Sequence, residues 1–313
     1  LEREQRHEAT VRVYEQALGL RLGRTTRAEV LTRLSRVQYA VFGQCEKALA
    51  LAEQAVALVS GGPETGEVWA VRGVGQALAT MCLANRNSSA AEESARQALA
   101  DLERAGPAAG KRPEVLRWMA QMHLLLEQPE EAIAWGTRYL AAESEPAART
   151  DFLTVLAQAY RTAGRLEEAE RTLTEAQFRI DCCKHAAAGL YHEQGLVWRA
   201  MGRGREARVA LERALGAAVY REDVSSAEAR VSLGELSYEE GDYTGAAGQF
   251  EKVLELIPED SEWRRYALVW LGRCRVELGL CAEARVCFAE VLASPEASEQ
   301  DQVEAQRGAL YAE

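Results

Sequence analysis

A fixed internal period constrains this chain more than any other feature of its sequence, because a repeated unit dictates the architecture before any single residue is interpreted. The clearest copy runs from Ala229 to Pro258 and carries Leu233-Gly234, then Gly241-Asp242-Tyr243, then Ala246, Phe250 and Pro258. Ala246 and Phe250 stand four residues apart, one helical turn on one face. Gly241-Asp242 breaks a helix, and Pro258 closes the next one. The copy therefore reads helix, tight turn, helix. It recurs downstream as Leu271-Gly272, Gly279, Ala284, Phe288 and Pro295, and upstream as Gly195, Gly202, Ala207 and Leu211. Before that come Leu156-Ala157, Tyr160, Gly164, Ala169, Leu173 and Ala176. Weaker copies hold Ala120 with Ala132 and Tyr139, Ala79 with Ala91 and Ala98, and Tyr39 with Gly43, Ala48 and Ala55.

One residue in each first helix, small except for Arg36 in the first copy, gives the series 36, 79, 120, 157, 195, 234 and 272, with steps of 43, 41, 37, 38, 39 and 38. Seven helix pairs are expected, starting near 28, 70, 112, 150, 188, 227 and 265, with a partial helix at 3–20 and a last helix at 299–312. Length alone suggests about two domains. The period replaces that with a single array over residues 1–313. Two helices approach to about 8–10 Å only where the contacting side chains are small. Gly195, Gly234 and Gly272 are thus expected to face Ala207, Ala246 and Ala284, leaving Leu173, Leu211, Phe250 and Phe288 to fill the space towards the next pair. Hydrophobic residues at 48% and charged ones at 27% fit a folded chain, and aromatics at 7% favour close-packed helices over sheets.

These residues resemble the tetratricopeptide repeat, and the resemblance covers nearly the whole chain. It implies an all-α, right-handed superhelical solenoid of antiparallel helix pairs. The period departs from the family's 34 residues and averages about 39. Extended units of this kind are similar to those in the sensor region of MalT-like bacterial transcription activators, and to kinesin light chain repeats. Gly61-Gly62-Pro63, Gly106-Pro107 and Glu145-Pro146 are loops that absorb the extra residues. The first residue is Leu1, and residues 3 to 18 read as a second helix without its first. The chain is accordingly expected to be a piece of a longer protein with further repeats or domains.

Motifs for catalysis are missing. Gly106 to Lys111 has three residues between its glycines and is followed by Arg112, whereas a phosphate loop needs four and a Ser or Thr. No H-E-x-x-H or G-x-S-x-G occurs, so neither metal nor nucleophilic hydrolysis has an anchor. Cys182, Cys183, His185 and His192 form the one dense Cys/His cluster. Its spacing fits ordinary helix residues best, with a redox-sensitive thiol as the alternative; a metal site needs spaced pairs. No enzyme activity, cofactor or metal is expected. A net charge of -11 disfavours phosphate-backbone binding, so no direct contact with nucleic acid is expected. No apolar run reaches the roughly 20 residues that span a bilayer. Seven cysteines in a long chain without a leader point to a reducing, cytoplasmic compartment. Only four of the 37 basic residues are lysines, a skew that fits a GC-rich bacterial genome.

In the family the first helices line the concave groove where extended peptides or partner helices bind. The repeat register then places Arg33, Gln76 and Thr80 there from the early units, and Glu228, Glu235, Tyr238 and Arg273 from the late ones. The middle units contribute Arg117, Gln121, Thr154, Gln158, Arg161, His192 and Arg199. The sharpest candidates are Arg117, Gln121, Gln158, Arg161, His192, Arg199, Glu235 and Tyr238. The middle set is cationic and amide-rich, and an Arg fork suits a carboxylate or phosphate. An acidic peptide or a small anionic effector is the expected ligand. The alternative is that these are solvated faces, or that Arg117 and Arg161 merely pair with Glu114 and Asp151. The groove lacks the Lys and two Asn of the carboxylate clamp in chaperone-binding members, so chaperone tails are not expected. The function read from these residues is protein or peptide recognition in the sensor or regulatory region of a bacterial signalling or transcription-regulatory protein. A small-molecule sensor and a stand-alone assembly scaffold are the alternatives.

Overall fold

The computed structural model describes residues 2–40, 44–62, 65–84, 88–106, 111–179, 187–218, 224–257, 262–294 and 297–312. Among the described residues the fold is all-α, with sixteen helices and no strand. The chain forms two compact units, Leu1–Ala163 and Gly164–Glu313. The first contains α1 (Glu2–Leu18), α2 (Arg24–Ala40), α3 (Cys45–Val59), α4 (Gly66–Ala84), α5 (Ser88–Arg104), α6 (Pro113–Leu125), α7 (Pro129–Ala142) and α8 (Pro146–Thr162). The second contains α9 (Leu166–Phe178), α10 (Ala187–Ala200), α11 (Gly204–Ala218), α12 (Val224–Glu239), α13 (Tyr243–Leu256), α14 (Glu262–Glu277), α15 (Cys281–Ala293) and α16 (Glu299–Tyr311). Within each unit consecutive helices pack as hairpins. Cys182, Cys183, His185, Pro107, Pro258 and Pro295 lie outside the described residues.

The turns inside the pairs are built alike. Gly202, Gly241 and Gly279 follow α10, α12 and α14 with φ of 73° to 81°, a left-handed conformation that strains a residue with a side chain. The next residue donates its N–H five residues back, as in Arg203 to Trp198 O and Asp242 to Ser237 O, at 2.8 and 2.9 Å. This is the bond of a helix closed by a left-handed residue. The same turn ends α6, but there Glu127 takes the left-handed position at φ 56°. Asp242 then caps α13, its carboxylate accepting from Gly245 N at 2.9 Å.

Packing in the second unit corrects the expected small-residue contact. A Cβ added at Gly195 would lie 2.6 Å from Leu211, one at Gly234 2.7 Å from the Phe250 ring, and one at Gly272 2.6 Å from the Phe288 ring. The glycines therefore make room for the large residue sixteen positions later in their own pair; Gly195 also nears the Ala207 carbonyl, at 3.3 Å. A ring can lie flat on a helix only where the Cβ is missing, so Gly and Phe form the matched pair. Phe250 also reaches the next pair, stacking on Trp270 at 5.9 Å between centroids. Phe288 is covered from the far side by Gly308 of α16. That contact puts α16 in the position of a first helix.

The first unit reverses the sizes. Ala52 and Ala95 occupy the equivalent second-helix sites and are fully buried, and Gly136 meets Phe152 of the following helix at 3.1 Å. Large first-helix residues such as Leu78, Met119, Met122 and Phe152 fill the core instead. In the first copy the buried small residue is Ser35, bonded to Ala48 O at 2.7 Å, rather than Arg36. Arg36 is half-exposed and lies 3.7 Å from Glu114.

Candidate functional site

First helices of different pairs touch one another through polar side chains within each unit. In the first unit Arg36 on α2 reaches Glu114 on α6, across α4. In the second, His192 on α10 meets Ser232 on α12 at 2.9 Å, and Tyr238 on α12 donates to Glu277 on α14 at 3.3 Å. The expected candidates divide evenly between the units. Arg117, Gln121, Gln158 and Arg161 fall in Leu1–Ala163, and His192, Arg199, Glu235 and Tyr238 in Gly164–Glu313.

In the second unit the candidates bond to one another. Arg199 on α10 donates from Nε to Glu239 Oε2 at 3.0 Å and from a terminal nitrogen to Glu239 Oε1 at 2.5 Å. Its other terminal nitrogen is bonded to Glu235. Glu235 also accepts from the Tyr266 hydroxyl on α14 at 2.6 Å. Burial works against the charge of Arg199, but the bonds to Glu239 and Glu235 outweigh it and hold the guanidinium pKa above its ordinary value. Burial, followed by the Glu235 bond, pushes the Tyr266 phenol up as well. Arg199 thus makes three hydrogen bonds to two carboxylates of α12, and Glu235 carries the link on to Tyr266 of α14. Arg273 is engaged too, its guanidinium 4.3 Å from the Trp270 ring centroid and 5.6 Å from that of Tyr238. A depression of about 340 Å³ lies beside it, bordered by Tyr238, Glu277, Glu304, Arg307 and Tyr311.

The first unit leaves recognition groups open. On α6, Nε of Arg117 and Oε1 of Gln121 are both buried and bond to nothing in the protein. The rest of the Arg117 guanidinium lies against the Tyr139 hydroxyl, whose pKa burial raises to about 12 despite the opposing pull of Arg117. Tyr139 itself donates weakly to Glu143, at 3.3 Å. Gln158 on α8 is exposed, and Arg161 is half-buried one turn along. Glu114, the acid that the alternative reading pairs with Arg117, lies 3.7 Å from Arg36. Two early candidates are corrected. Gln76 and Thr80 turn into the α4–α5 pair, where Ser94 Oγ accepts from Gln76 at 2.7 Å and from Thr80 at 2.7 Å. Thr80 is fully buried there, because the long helix α4 carries its polar residues round to its partner helix.

Sequence reasoning missed Glu239, Tyr266, Trp270 and Glu277. Each had a signal. Glu239 is one turn beyond Glu235, Tyr266 is one period beyond Glu228, and Glu277 is one period beyond Tyr238.

The family model of the tetratricopeptide repeat matches residues 192–261. No curated protein matches the sequence. Among solved structures, a human IFIT1 dimer with PPP-AAAA is similar with a TM-score of 0.69 and 17% identity, over 90% of this chain and 63% of that one. The APC/C hetero-tetramer Cut9-Hcn1 gives 0.61 and 15%, over 89% of this chain and 48% of that one. A tetratricopeptide repeat protein from Parabacteroides merdae gives 0.54 and 14%, over 93% and 99%. The chain spans about half to two thirds of the length of the first two. The repeat match is confined to residues 192–261, and the solved structures share the helix-pair solenoid fold.

Proposed function

We propose that this chain is a noncatalytic recognition module whose first-helix face in residues 1–163 binds an acidic peptide segment of a protein partner. The observation that carries the reading is the pair of buried, unbonded atoms on α6, Arg117 Nε and Gln121 Oε1. A buried donor or acceptor left without a partner costs about 1–3 kcal/mol, so the face gains when a ligand supplies the missing bonds. A peptide segment offers both kinds: a carboxylate accepts from the guanidinium, and a backbone N–H donates to the amide oxygen. His192, Arg199, Glu235 and Tyr238 hold the second unit together on this reading. The setting we propose is the sensor or regulatory region of a larger bacterial signalling or transcription-regulatory protein in the cytoplasm. The resemblance to MalT-like sensor repeats and the arginine-rich composition support that setting.

The test is fluorescence anisotropy with a labelled glutamate-rich peptide. Arg117→Glu should weaken binding by about tenfold or more, and added salt should weaken the wild type as well. Equal affinity of wild type and Arg117→Glu would overturn the reading. A small anion that raises the melting temperature while the peptide fails to bind would point instead to an effector sensor.

A further inference from the structure

The depression beside Arg273 lies wholly within the second unit, walled by α12, α14 and α16. Its volume is about 340 Å³. The floor is apolar: Val276 lines it, and Phe288 lies under Gly308, where an added Cβ would come within 2.3 Å of the ring. Tyr238 and Tyr311 add aromatic surface to the walls, and Tyr311 is 72% exposed.

Four charged groups border this floor, and none of them is paired with another. Arg273 and Glu277 stand four residues apart on α14, and Glu304 and Arg307 three apart on α16. At those spacings opposite charges on a helix ordinarily bond to each other. Neither pair does so here. Arg273 is held by rings instead, with its guanidinium 4.3 Å from the Trp270 centroid. Glu277 accepts from the Tyr238 hydroxyl at 3.3 Å. Glu304 and Arg307 have no charged partner among the described residues. Two open cations and two open carboxylates therefore surround one apolar floor. Their charges cancel, so the rim repels a lone anion or a lone cation as much as it attracts it. A molecule carrying both signs meets a partner for each.

We infer that this depression binds a free α-amino acid with an aromatic side chain. The ligand carboxylate accepts from Arg273 and Arg307, and its ammonium donates to Glu277 and Glu304. Both sets are charge-assisted bonds, and the guanidinium fork suits a carboxylate. The side chain lies over Val276 beside the rings of Tyr238 and Tyr311, where aromatic pairs gain beyond their buried area. The volume is at the low end of ligand sites, enough for one amino acid. A residue inside a peptide has lost both charges to its amide bonds and meets only half of what the rim offers. The site therefore differs in ligand and in place from the peptide face of residues 1–163.

The test is thermal shift and titration calorimetry on the full chain with four compounds. Phenylalanine at about 10 mM should raise the melting temperature. Phenethylamine lacks the carboxylate, 3-phenylpropionate lacks the ammonium, and alanine lacks the ring. Each should bind at least about tenfold more weakly than phenylalanine. Glu304→Gln should weaken phenylalanine by about tenfold and leave 3-phenylpropionate unchanged. Arg307→Gln should weaken phenylalanine as much and leave phenethylamine unchanged. Calorimetry well below the melting transition keeps lost binding distinct from lost folding. No shift with phenylalanine, equal affinity for either one-charge analogue, or full affinity in both variants overturns the inference. Whatever the result, the peptide reading is decided separately, by Arg117→Glu.

Discussion

Two first-helix arginines, Arg199 in one unit and Arg117 in the other, are used in opposite ways, although Arg230 of the second unit also has a buried, unbonded Nε. In residues 164–313, Arg199 is bonded to both Glu235 and Glu239, and Tyr266 closes the lattice across α10, α12 and α14. In residues 1–163, Arg117 keeps a buried nitrogen unbonded beside an equally unbonded Gln121 oxygen, and Arg33 stands without an acidic partner among the described residues. The difference teaches that counting cations on a repeat face is a poor guide to binding. What matters is whether the hydrogen bonds of each cation are already taken, because a saturated guanidinium must break internal bonds before it can accept a ligand. The cores differ in parallel. The second unit seats Leu211, Phe250 and Phe288 on glycines, whereas the first packs alanines at the equivalent sites.

The comparison can be attacked from either side. The largest effect is expected in the aromatic core of the second unit. Phe288→Ala removes a fully buried ring held between Gly272 and Gly308 and should cost about 3–5 kcal/mol in urea unfolding. A cost near that of an alanine-site change in the first unit would erase the distinction between the cores. Next, Tyr139 gives the first unit a pH signature. Its phenol titrates near 10 when unfolded and is raised to about 12 by burial. Its contribution is complete below pH 10 and is lost as pH climbs towards 12, by roughly 2 kcal/mol, and Tyr139→Phe should flatten that part of the stability profile.

Arg199→Ala should cost about 1–2 kcal/mol, because Glu235 and Glu239 then face each other without the cation. A melting curve identical to wild type would mean that the lattice is ornamental and that the units are alike. The smallest effect concerns the turn after α6. Glu127→Gly relieves a left-handed conformation that costs a non-glycine residue about 1–2 kcal/mol, offset in part by the greater freedom of glycine when unfolded. A net gain of up to about 1 kcal/mol is expected, seen as a higher melting temperature.

Much of the helix-pair pattern was legible because its signals are local. Glycines at 202, 241 and 279 mark turns that need a left-handed residue, and the four-residue spacing of Ala246 and Phe250 marks a buried face. The same turn after α6 carried no such mark, since Glu127 takes the strained position. The choice of Arg36 over Ser35 was off by one, because no glycine fixes the register in α2. The face was legible in outline and not in its bonding. The period put Arg199, Glu235 and Tyr238 on one face. Whether Arg199 finds carboxylates 36 and 40 residues away depends on how successive pairs are offset, which no local pattern encodes. Gln76 and Thr80 failed for a related reason: polar residues also serve inside a pair when a partner such as Ser94 is waiting.

The central claim is that peptide binding resides on the open face of the first unit while the matching arginine of the second is structural. The most direct measurement compares Arg117→Ala and Arg199→Ala side by side, for affinity towards the labelled glutamate-rich peptide and for stability in urea. The account predicts that Arg117→Ala weakens binding by about tenfold with little loss of stability, and that Arg199→Ala lowers stability with affinity unchanged. The reverse pattern, with affinity lost at Arg199 and kept at Arg117, would contradict it.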